Sequence, residues 1–467
     1  MLTGISKGTT HELIKVWRNI ISLTAIAMTK HVRVDLPEED TRHLKKQISK
    51  CIFAKSGDLS SKSRLAKLSK TYLHLTEEGR IKFLRILAKD FDKNISVLDD
   101  KIKIWQSAEN DTEKIKAELQ LREALVSPRV ILLKKFSTLQ NGFQFLINLR
   151  TDLIPHVTKD PYYRKLDRDL KDLLLSWFDL SLLDLKEITW NSPAALLEKL
   201  LEYEAVHEIQ SFRDMKRRLR PDRRCYAFFH HKIPDEPLIF IEVALTHGLS
   251  DNIHKLLDES ALIVNPEHAS TVIFYSISNT QKGLKGISLG NSLIKRVIEK
   301  LSEEFKNIKH FATISPIPRF TEWIKNDLSE EGKIILTPKE AELIKKVSGE
   351  KSVKESLLQF QNSEWYTNRK ISESLKTPLM KLCVYYLLKE KRGKNAYDSV
   401  ANFHLENGAR IERINWLADI SRKGIESSLG MMANYSYELS CIDNNHQNYI
   451  TYGEIATSKE VKNILKK

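Results

Sequence analysis

A serine lies between an apolar run and two prolines in the segment FATISPIPRF, residues 311–320. Pro316 and Pro318 each fix φ and lack a backbone donor, and Pro316 also favours an extended conformation at Ser315. The hydroxyl of Ser315 is therefore held where the chain leaves a strand. From this segment alone, a strand that ends in a polar residue is the simpler interpretation, and a functional serine is the alternative.

A glycine-containing loop precedes this serine. The segment NTQKGLKGISLGNSLIKRVIEKLSEEF, residues 279–305, begins with Gly283, Gly286 and Gly290. Glycines let the main chain approach an anion closely, and a helix start offers free N–H groups and the positive end of its dipole. The loop therefore favours phosphate binding, although glycines also end strands. The following helix is predicted to bury one apolar face, formed by Leu293, Ile294, Val297, Ile298, Leu301 and Phe305.

A single histidine, His404, occurs in the segment SVANFHLENGARIERINWLADIS, residues 399–421. We predict that it lies in a loop before a turn at Asn407 and Gly408. An isolated histidine is more often a structural hydrogen-bonding residue than a catalytic one. This segment alone therefore does not assign it a function.

The first 175 or so residues are predicted to be helical. Apolar residues recur at helical spacing over residues 64–75, 79–91 and 129–150, and glycine is scarce. The short apolar stretch Ile20–Met28 is predicted to be part of a buried helix. No chemistry is evident in this region, so packing and oligomerisation are its expected roles.

The character of the chain changes after Trp177. Compact runs at 236–246, 270–278 and 309–315 predict strands, and the glycine loop with its helix connects the second and third of them. Helical periodicity returns over residues 321–395. Residues 427–439 look β-like again, so the region combines helices and strands.

Composition narrows the class of protein without choosing a function. A chain of 467 residues with 41% hydrophobic and 29% charged residues describes a soluble globular protein of two or three domains. No stretch approaches the roughly 18 apolar residues that a membrane span needs. A net charge of +14 is compatible with nucleic acid, with a phosphate-bearing ligand or with a basic surface of no particular role. The densest basic cluster, residues 213–224, has no interleaved aromatic residues. Four widely spaced cysteines suggest neither a metal site nor a disulfide framework, and a reducing compartment is expected: Cys51, Cys225, Cys383 and Cys441.

Several segments together resemble the malonyl-CoA decarboxylase family. They are RDMKRRLRPDRRCYAFFH, EPLIFIEVALT, FYSISNTQKGLKGISLGNSLIKRV, ISPIPRFTEW, VANFHLENGARIERINWLAD and GMMANYSYEL, in the order of the family and over most of residues 176–440. The resemblance implies an α+β protein, with an all-helical oligomerisation domain at 1–175 and a GNAT acyltransferase-like catalytic domain at 176–467. It also implies malonyl-CoA and acetyl-CoA as ligands and a homo-oligomer, with a tetramer as the first expectation.

The resemblance also assigns site residues. Ser315 and His404 correspond to the catalytic serine and histidine of the family, and both are expected to contact substrate. The thioester-binding loop corresponds to Lys285, Gly286, Ile287, Ser288, Leu289, Gly290 and Asn291. Two departures stand out: Lys285 and Ser288 occupy positions where GNAT acyltransferases usually carry Gln or Arg and Gly, and Ser399 stands where the family often has proline.

The expected reaction releases CO₂ from malonyl-CoA and leaves an enolate, which is then protonated. Because the thioester itself accepts the electron pair, no cofactor is expected, and the sequence shows no metal-ligand cluster. An acyl-CoA-dependent N-acyltransferase and a basic nucleic-acid-binding protein are the alternatives. A cytoplasmic location is expected, with the mitochondrial matrix as the alternative in a eukaryote. The C-terminus NILKK is not a peroxisomal signal.

Overall fold

The computed structural model describes residues 32–54, 59–329 and 335–466. The helix predicted at Ile20–Met28 lies outside these ranges. The described chain is an α+β protein in which a helical region is followed by a mixed sheet with further helices. This fold class confirms the prediction from sequence.

The first region is helical throughout its described residues, as predicted. Its apolar side chains form a continuous core that extends from Leu36 to Leu173. The predicted run 129–150 is divided into two helices, of which the first ends at Phe136 and the second begins at Gly142. A Cβ at Gly142 would clash with the carbonyl of Phe136, so glycine is required at this junction. The helices are α1 Glu38–Phe53, α2 Leu59–His74, α3 Glu77–Asp90, α4 Ile95–Gln106, α5 Asp111–Leu125, α6 Pro128–Phe136, α7 Gly142–Leu153 and α8 Pro161–Trp177.

Strands begin shortly after Trp177, where the chain was predicted to change character. The predicted runs 236–246, 270–278 and 309–315 each match a strand, but two earlier strands, Leu183–Ile188 and Arg223–His230, were not predicted. The main sheet has the order β1-β2-β3-β4-β5-β10-β6, and β9 pairs with β10. A separate hairpin, β7 with β8, lies at the end of residues 321–395, where helical periodicity was predicted. The strands are β1 Leu183–Ile188, β2 Arg223–His230, β3 Ile239–Thr246, β4 Thr271–Asn279, β5 His310–Thr313, β6 Ser315–Pro316, β7 Lys391–Arg392, β8 Asn395–Ala396, β9 Arg410–Asn415 and β10 Met432–Ser436.

Further helices connect and cover these strands. Four of them fall within residues 321–395, or start at its edge, where helical periodicity was predicted. The helices are α9 Ala194–Tyr203, α10 Phe212–Arg218, α11 Ile253–Leu257, α12 Leu289–Glu304, α13 Phe320–Asn326, α14 Pro338–Ser348, α15 Val353–Phe360, α16 Arg369–Lys389, α17 Ser399–Glu406, α18 Arg422–Ser428, α19 Ile442–Tyr452 and α20 Lys459–Ile464.

The glycine loop lies in a strand–loop–helix–strand unit, as predicted. Strand β4 leads through the loop into α12 and returns as β5, which pairs with β4 in parallel from Thr271↔His310 to Phe274↔Thr313. A parallel neighbour requires such a crossover connection. The predicted apolar face of α12 and Phe305 just beyond it are buried.

The chain divides into two compact units that do not follow a single cut in the sequence. One unit contains the helices up to Leu183 together with residues 230–234 and 281–287. The other contains residues 184–229, 235–280 and 288–467. The glycine loop therefore belongs to the first unit up to Ile287 and to the second from Ser288. The domain boundary between residues 175 and 176 stays a prediction.

Much of the basic cluster at 213–224 is buried in ion pairs. Arg217 pairs with Asp222 at 2.8 Å, and Arg218 pairs with Asp214 at 2.8 Å and with Glu242 at 2.9 Å. Because these arginines are only 2% exposed and are already paired with carboxylates, they offer little charge to a macromolecular partner. Within the described ranges, no helix combines the length and apolar character that crossing a membrane requires.

Candidate functional site

Ser315 and His404 are brought together by the fold. Ser315 begins β6, which pairs antiparallel with β10 through Ala433. Its Oγ lies 3.1 Å from Nε2 of His404, and both side chains are buried. Two residues that are 89 positions apart in the chain thus form a hydrogen-bonded hydroxyl–imidazole pair.

The loop predicted around His404 is wrong, because His404 lies in the last turn of α17. Asp398 caps this helix through its Oδ1, which accepts hydrogen bonds from the N–H groups of Val400 and Ala401 at 2.9 Å each. Ser399 occupies the first helical position, where proline is also well tolerated. The turn at Asn407 and Gly408 follows directly, with Gly408 at φ 79°. The turn signal was therefore correct, but the two helical turns before it were missed.

The Ser315–His404 pair belongs to a longer chain of hydrogen bonds. The Ser315 hydroxyl donates to Oγ1 of Thr313 at 2.8 Å, and the hydroxyl of Tyr437 lies 2.7 Å from Nδ1 of His404. A hydroxyl has one proton, so a Ser315 that donates to Thr313 accepts from His404 Nε2–H. Nδ1 of the neutral ring then accepts from the hydroxyl of Tyr437. With the hydroxyl protons assigned in this way, the N–H group of His404 faces Ser315.

Burial keeps His404 neutral. Loss of solvation lowers its pKa to about 3, and the same cause raises the pKa of Tyr437 above its ordinary value. The ring of Tyr435 stacks on the imidazole with centroids 4.5 Å apart. The pair is therefore a neutral hydrogen-bond donor system at physiological pH, and no protonated imidazole is needed to maintain it.

Thr313 and Tyr437 were missed by the sequence analysis. Thr313 had a detectable signal, because a residue two positions before Ser315 in an extended segment points to the same side. The backbone N–H of Tyr435 also donates to Oγ1 of Thr313 at 3.1 Å, so this hydroxyl is fixed by β10. Tyr437 had no local signal, since its approach to His404 depends on the pairing of distant strands.

The first part of the glycine loop is held by the helical unit. Nη1 of Arg150, on α7, donates to the carbonyl of Gly283 at 2.6 Å and to that of Lys285 at 2.9 Å. Nε of Arg150 donates to Oδ1 of Asp167 at 2.8 Å, which keeps the buried guanidinium paired. Gly286 has φ 81°, a conformation that a residue with a Cβ adopts only with strain. These contacts define the path of the loop through Ile287.

The second part of the loop opens helix α12. Ser288 is its N-cap residue, and the Ser288 side chain makes no capping hydrogen bond to any residue that the structure describes. The first N–H groups of the helix are therefore left for another acceptor. Gly290 is needed for a packing reason, because a Cβ there would lie 2.9 Å from two ring atoms of Phe403. Phe403 directly precedes His404, so this glycine contacts the segment that carries the histidine.

Among the described side chains, no three His, Cys, Asp or Glu residues form a group that could hold a metal ion. The four cysteines have free thiols, three of them buried.

Both the helical region and the region with the sheet match known family models. Residues 91–178 match the family model described as "Malonyl-CoA decarboxylase N-terminal domain", and residues 181–467 match "Malonyl-CoA decarboxylase C-terminal domain". The chain belongs to the malonyl-CoA decarboxylase family. It is 40% identical over 376 residues to the mitochondrial malonyl-CoA decarboxylase of Mus musculus, covering 78% of this chain and 76% of the relative. It is 38% identical over 397 residues to that of Anser anser anser, covering 82% and 79%.

Solved structures of the family have the same fold. The malonyl-CoA decarboxylase of Agrobacterium vitis superposes with a TM-score of 0.83 at 33% identity and covers 91% of this chain and 100% of that one. That of Rhodopseudomonas palustris gives a TM-score of 0.80 at 33% identity, covering 90% and 99%. The malonyl-CoA decarboxylase C-terminal match includes the glycine loop, Ser315 and His404.

Proposed function

We propose that this chain catalyses the decarboxylation of malonyl-CoA to acetyl-CoA and CO₂, with Ser315 and His404 as its catalytic residues. Its family membership makes it a carboxy-lyase. The observation that carries the assignment of the residues is the buried hydrogen bond between Ser315 Oγ and His404 Nε2. It joins the two positions that the family motifs single out.

The chemistry needs an electron sink and a proton donor. When the bond between C2 and the carboxylate breaks, CO₂ leaves and the electron pair moves into the thioester as an enolate. C2 then takes one proton, which balances the reaction. A neutral His404 with its proton on Nε2 supplies that proton directly or through Ser315, while Nδ1 takes the proton of the Tyr437 hydroxyl and solvent then restores it to the tyrosine. A positioned acid contributes about 10²–10⁴-fold in rate.

We further propose that the loop from Lys285 to Asn291 binds the CoA part of the substrate. Support comes from the start of α12, where the Ser288 side chain caps no N–H group of the described chain, and from Gly286, which has no side chain of its own to keep a phosphate from the main chain. No cofactor is proposed, since the thioester accepts the electrons itself. A GNAT acyltransferase-like catalytic domain at 176–467 remains part of the proposal, supported by the β4–loop–α12–β5 unit.

The test is to incubate purified protein with malonyl-CoA and no acceptor, with and without EDTA. We expect equal amounts of acetyl-CoA and CO₂, unchanged by EDTA, and one deuterium on the acetyl methyl group in D₂O. Ser315→Ala protein is the control for contaminating activity. Turnover that requires an amine acceptor would favour the N-acyltransferase alternative. Activity lost in EDTA and restored by a metal would overturn the metal-free mechanism.

We propose that the helical domain at 1–175 assembles the chain into a homo-oligomer, with a tetramer as the first expectation. Helices α4 and α5 follow each other in the chain and contact each other, and among the described residues α4 buries no side chain and α5 buries only Ala117. Large apolar side chains are exposed on this pair: Ile95, Val97, Ile104, Trp105, Ile115, Leu119 and Leu125. Several large apolar side chains left exposed on neighbouring helices are a feature of protein–protein contacts.

Leu119, which is 56% exposed, offers a direct test of this assembly. Leu119→Asp should lower the mass measured by light scattering at micromolar concentration. Leu262→Asp is the matched control, because Leu262 is 90% exposed and lies outside the helical domain. A wild-type monomer, or equal masses for wild type and Leu119→Asp, would contradict this surface.

A cytoplasmic location also remains a proposal. The curated relatives from mouse and goose are named as mitochondrial proteins, so the mitochondrial matrix is the alternative. Fractionation of the source cells, with antibody against the chain, distinguishes the two.

A further inference from the structure

Asp398 connects the two segments that carry Ser315 and His404. Its carboxylate is buried, with 1% of the residue exposed, and its two oxygens have different partners. Oδ1 caps α17, the helix of His404, as described above. Oδ2 accepts a hydrogen bond from the backbone N–H of Arg319 at 3.3 Å and one from the Tyr386 hydroxyl at 3.2 Å.

Arg319 closes the segment that begins at Ser315. Pro316 and Pro318 stiffen the chain between them, so a hydrogen bond at Arg319 N–H restrains the position of Ser315. At its other end this segment is fixed by the pairing of β6 with β10. Asp398 therefore holds one end of the Ser315 segment with one oxygen and the start of the His404 helix with the other.

We infer that Asp398 is a positioning residue that aligns Ser315 with His404 for the reaction. This inference rests on the proposed function, since it takes the pair as catalytic. Alignment is worth a large factor in rate, because a displacement of about 1 Å at reacting groups costs on the order of 10²-fold. Burial raises the pKa of Asp398, while its hydrogen-bond donors favour the carboxylate.

Asp398→Asn separates the two functions of the carboxylate. Asparagine caps helices about as well as aspartate, so its carbonyl oxygen can keep the hydrogen bonds from Val400 and Ala401. Its amide nitrogen faces the N–H of Arg319 and cannot accept from it. We expect kcat to fall about 10–100-fold with KM changed less than threefold, because alignment fails while CoA binding remains.

Three further variants separate positioning from general stability. Asp160→Asn makes the same change at another helix N-cap, that of α8, and should leave kcat unchanged. Tyr386→Phe removes the other donor to Oδ2 and should lose less activity than Asp398→Asn. Asp398→Ser provides a second test in case the repelled amide prevents folding, because serine also caps helices but has no second acceptor.

A double-mutant comparison decides the inference. If Asp398 acts through the pair, Asp398→Asn should cost at least tenfold in kcat in the wild type and less than threefold in Ser315→Ala protein. Losses that multiply in the double mutant, or an Asp398→Asn loss no larger than that of Tyr386→Phe, would overturn the positioning role. Near-normal turnover of the single Ser315→Ala variant would instead remove the proposed pair, and the positioning role with it. Failure of the positioning role would therefore be seen in the Asp398→Asn variants, and failure of the proposed catalytic pair in the single Ser315→Ala variant.

Discussion

The Ser315–His404 pair and the glycine loop are positioned in different ways. The pair is fixed within one unit by successive side-chain hydrogen bonds from Thr313 to Tyr437. The loop is fixed up to Ile287 by Arg150 of the helical unit, and from Ser288 it is part of a helix of the other unit. We expect changes in the first region to lower kcat and changes near Arg150 to raise KM.

The largest effect is expected at the pair. His404→Asn removes the proposed acid but keeps a polar side chain of similar shape, so turnover should fall by at least about 10²-fold while CoA still binds. Ser315→Ala should cause a loss of the same kind, and the double variant should lose much less than the product of the two. Steady-state kinetics measures the loss of turnover, and calorimetric titration with CoA measures whether binding is retained. Near-normal turnover of His404→Asn would reduce this histidine to a structural residue.

The pKa of His404 predicts a pH dependence with a definite sign. The unfolded chain binds a proton at this histidine near its ordinary pKa of 6.5, whereas the folded chain binds it only near 3. The folded state therefore loses stability as pH falls below about 6.5, and full stability is present above that value. Lowering the pH from 7.5 to 5 should reduce the Tm of the wild type more than that of His404→Asn. Parallel Tm curves for the two proteins would show that His404 is not buried as a neutral ring.

The elements around the pair were largely predictable, whereas its exact setting was not. A period of 3.6 identified the buried face of α12. The two prolines marked the point where the chain leaves a strand, but β5 already ends at Thr313 and Ser315 begins the short strand β6. The helix of His404 was missed because it has only two turns before a strong Asn407–Gly408 turn signal. Local patterns extend over about ten residues, so they describe α12 but cannot identify Tyr437 as a partner of His404.

The charged residues show the same limit. Arg217 and Arg218 belong to a segment that resembles a basic surface patch, yet they are buried with acidic partners that include the distant Glu242. Arg150 is separated by 133 positions from Gly283, whose carbonyl it binds. The sequence shows which residues carry a charge. Only the fold determines whether that charge faces solvent, an acidic side chain or a loop carbonyl.

A conservative change at Arg150 tests how the glycine loop is positioned. Arg150→Lys keeps the charge, but a single ammonium group cannot maintain the forked contacts to Asp167 and the two loop carbonyls. Loss of about one net hydrogen bond, roughly 1 kcal/mol, should raise KM for malonyl-CoA about fivefold with kcat nearly unchanged.

Arg129 provides the matched control for Arg150. It is a buried arginine of the same unit that pairs with Asp92 and Asp169. Arg129→Lys should lower Tm to a similar extent and leave KM unchanged. An equal rise of KM in both variants would mean that general loosening of the helices, and not the carbonyl contacts, governs CoA binding.

The smallest effects are expected from adding a single methyl group to the loop, at Gly286 or at Gly290. Gly286→Ala forces a Cβ into a left-handed conformation. We expect this strain, roughly 1–2 kcal/mol, to reduce mainly the stability of the fold and to raise KM alone, by less than about fivefold. Gly290→Ala should also lower kcat, about threefold, because its Cβ would lie 2.9 Å from the Phe403 ring next to His404. Alanine is better than glycine within a helix by roughly 0.5–1 kcal/mol, so lost helix stability cannot explain that decrease. Gly248→Ala is the control, because its Cβ would meet no described atom within 4 Å. A kcat for Gly290→Ala equal to that of Gly248→Ala would leave Gly290 as a residue of the CoA loop alone.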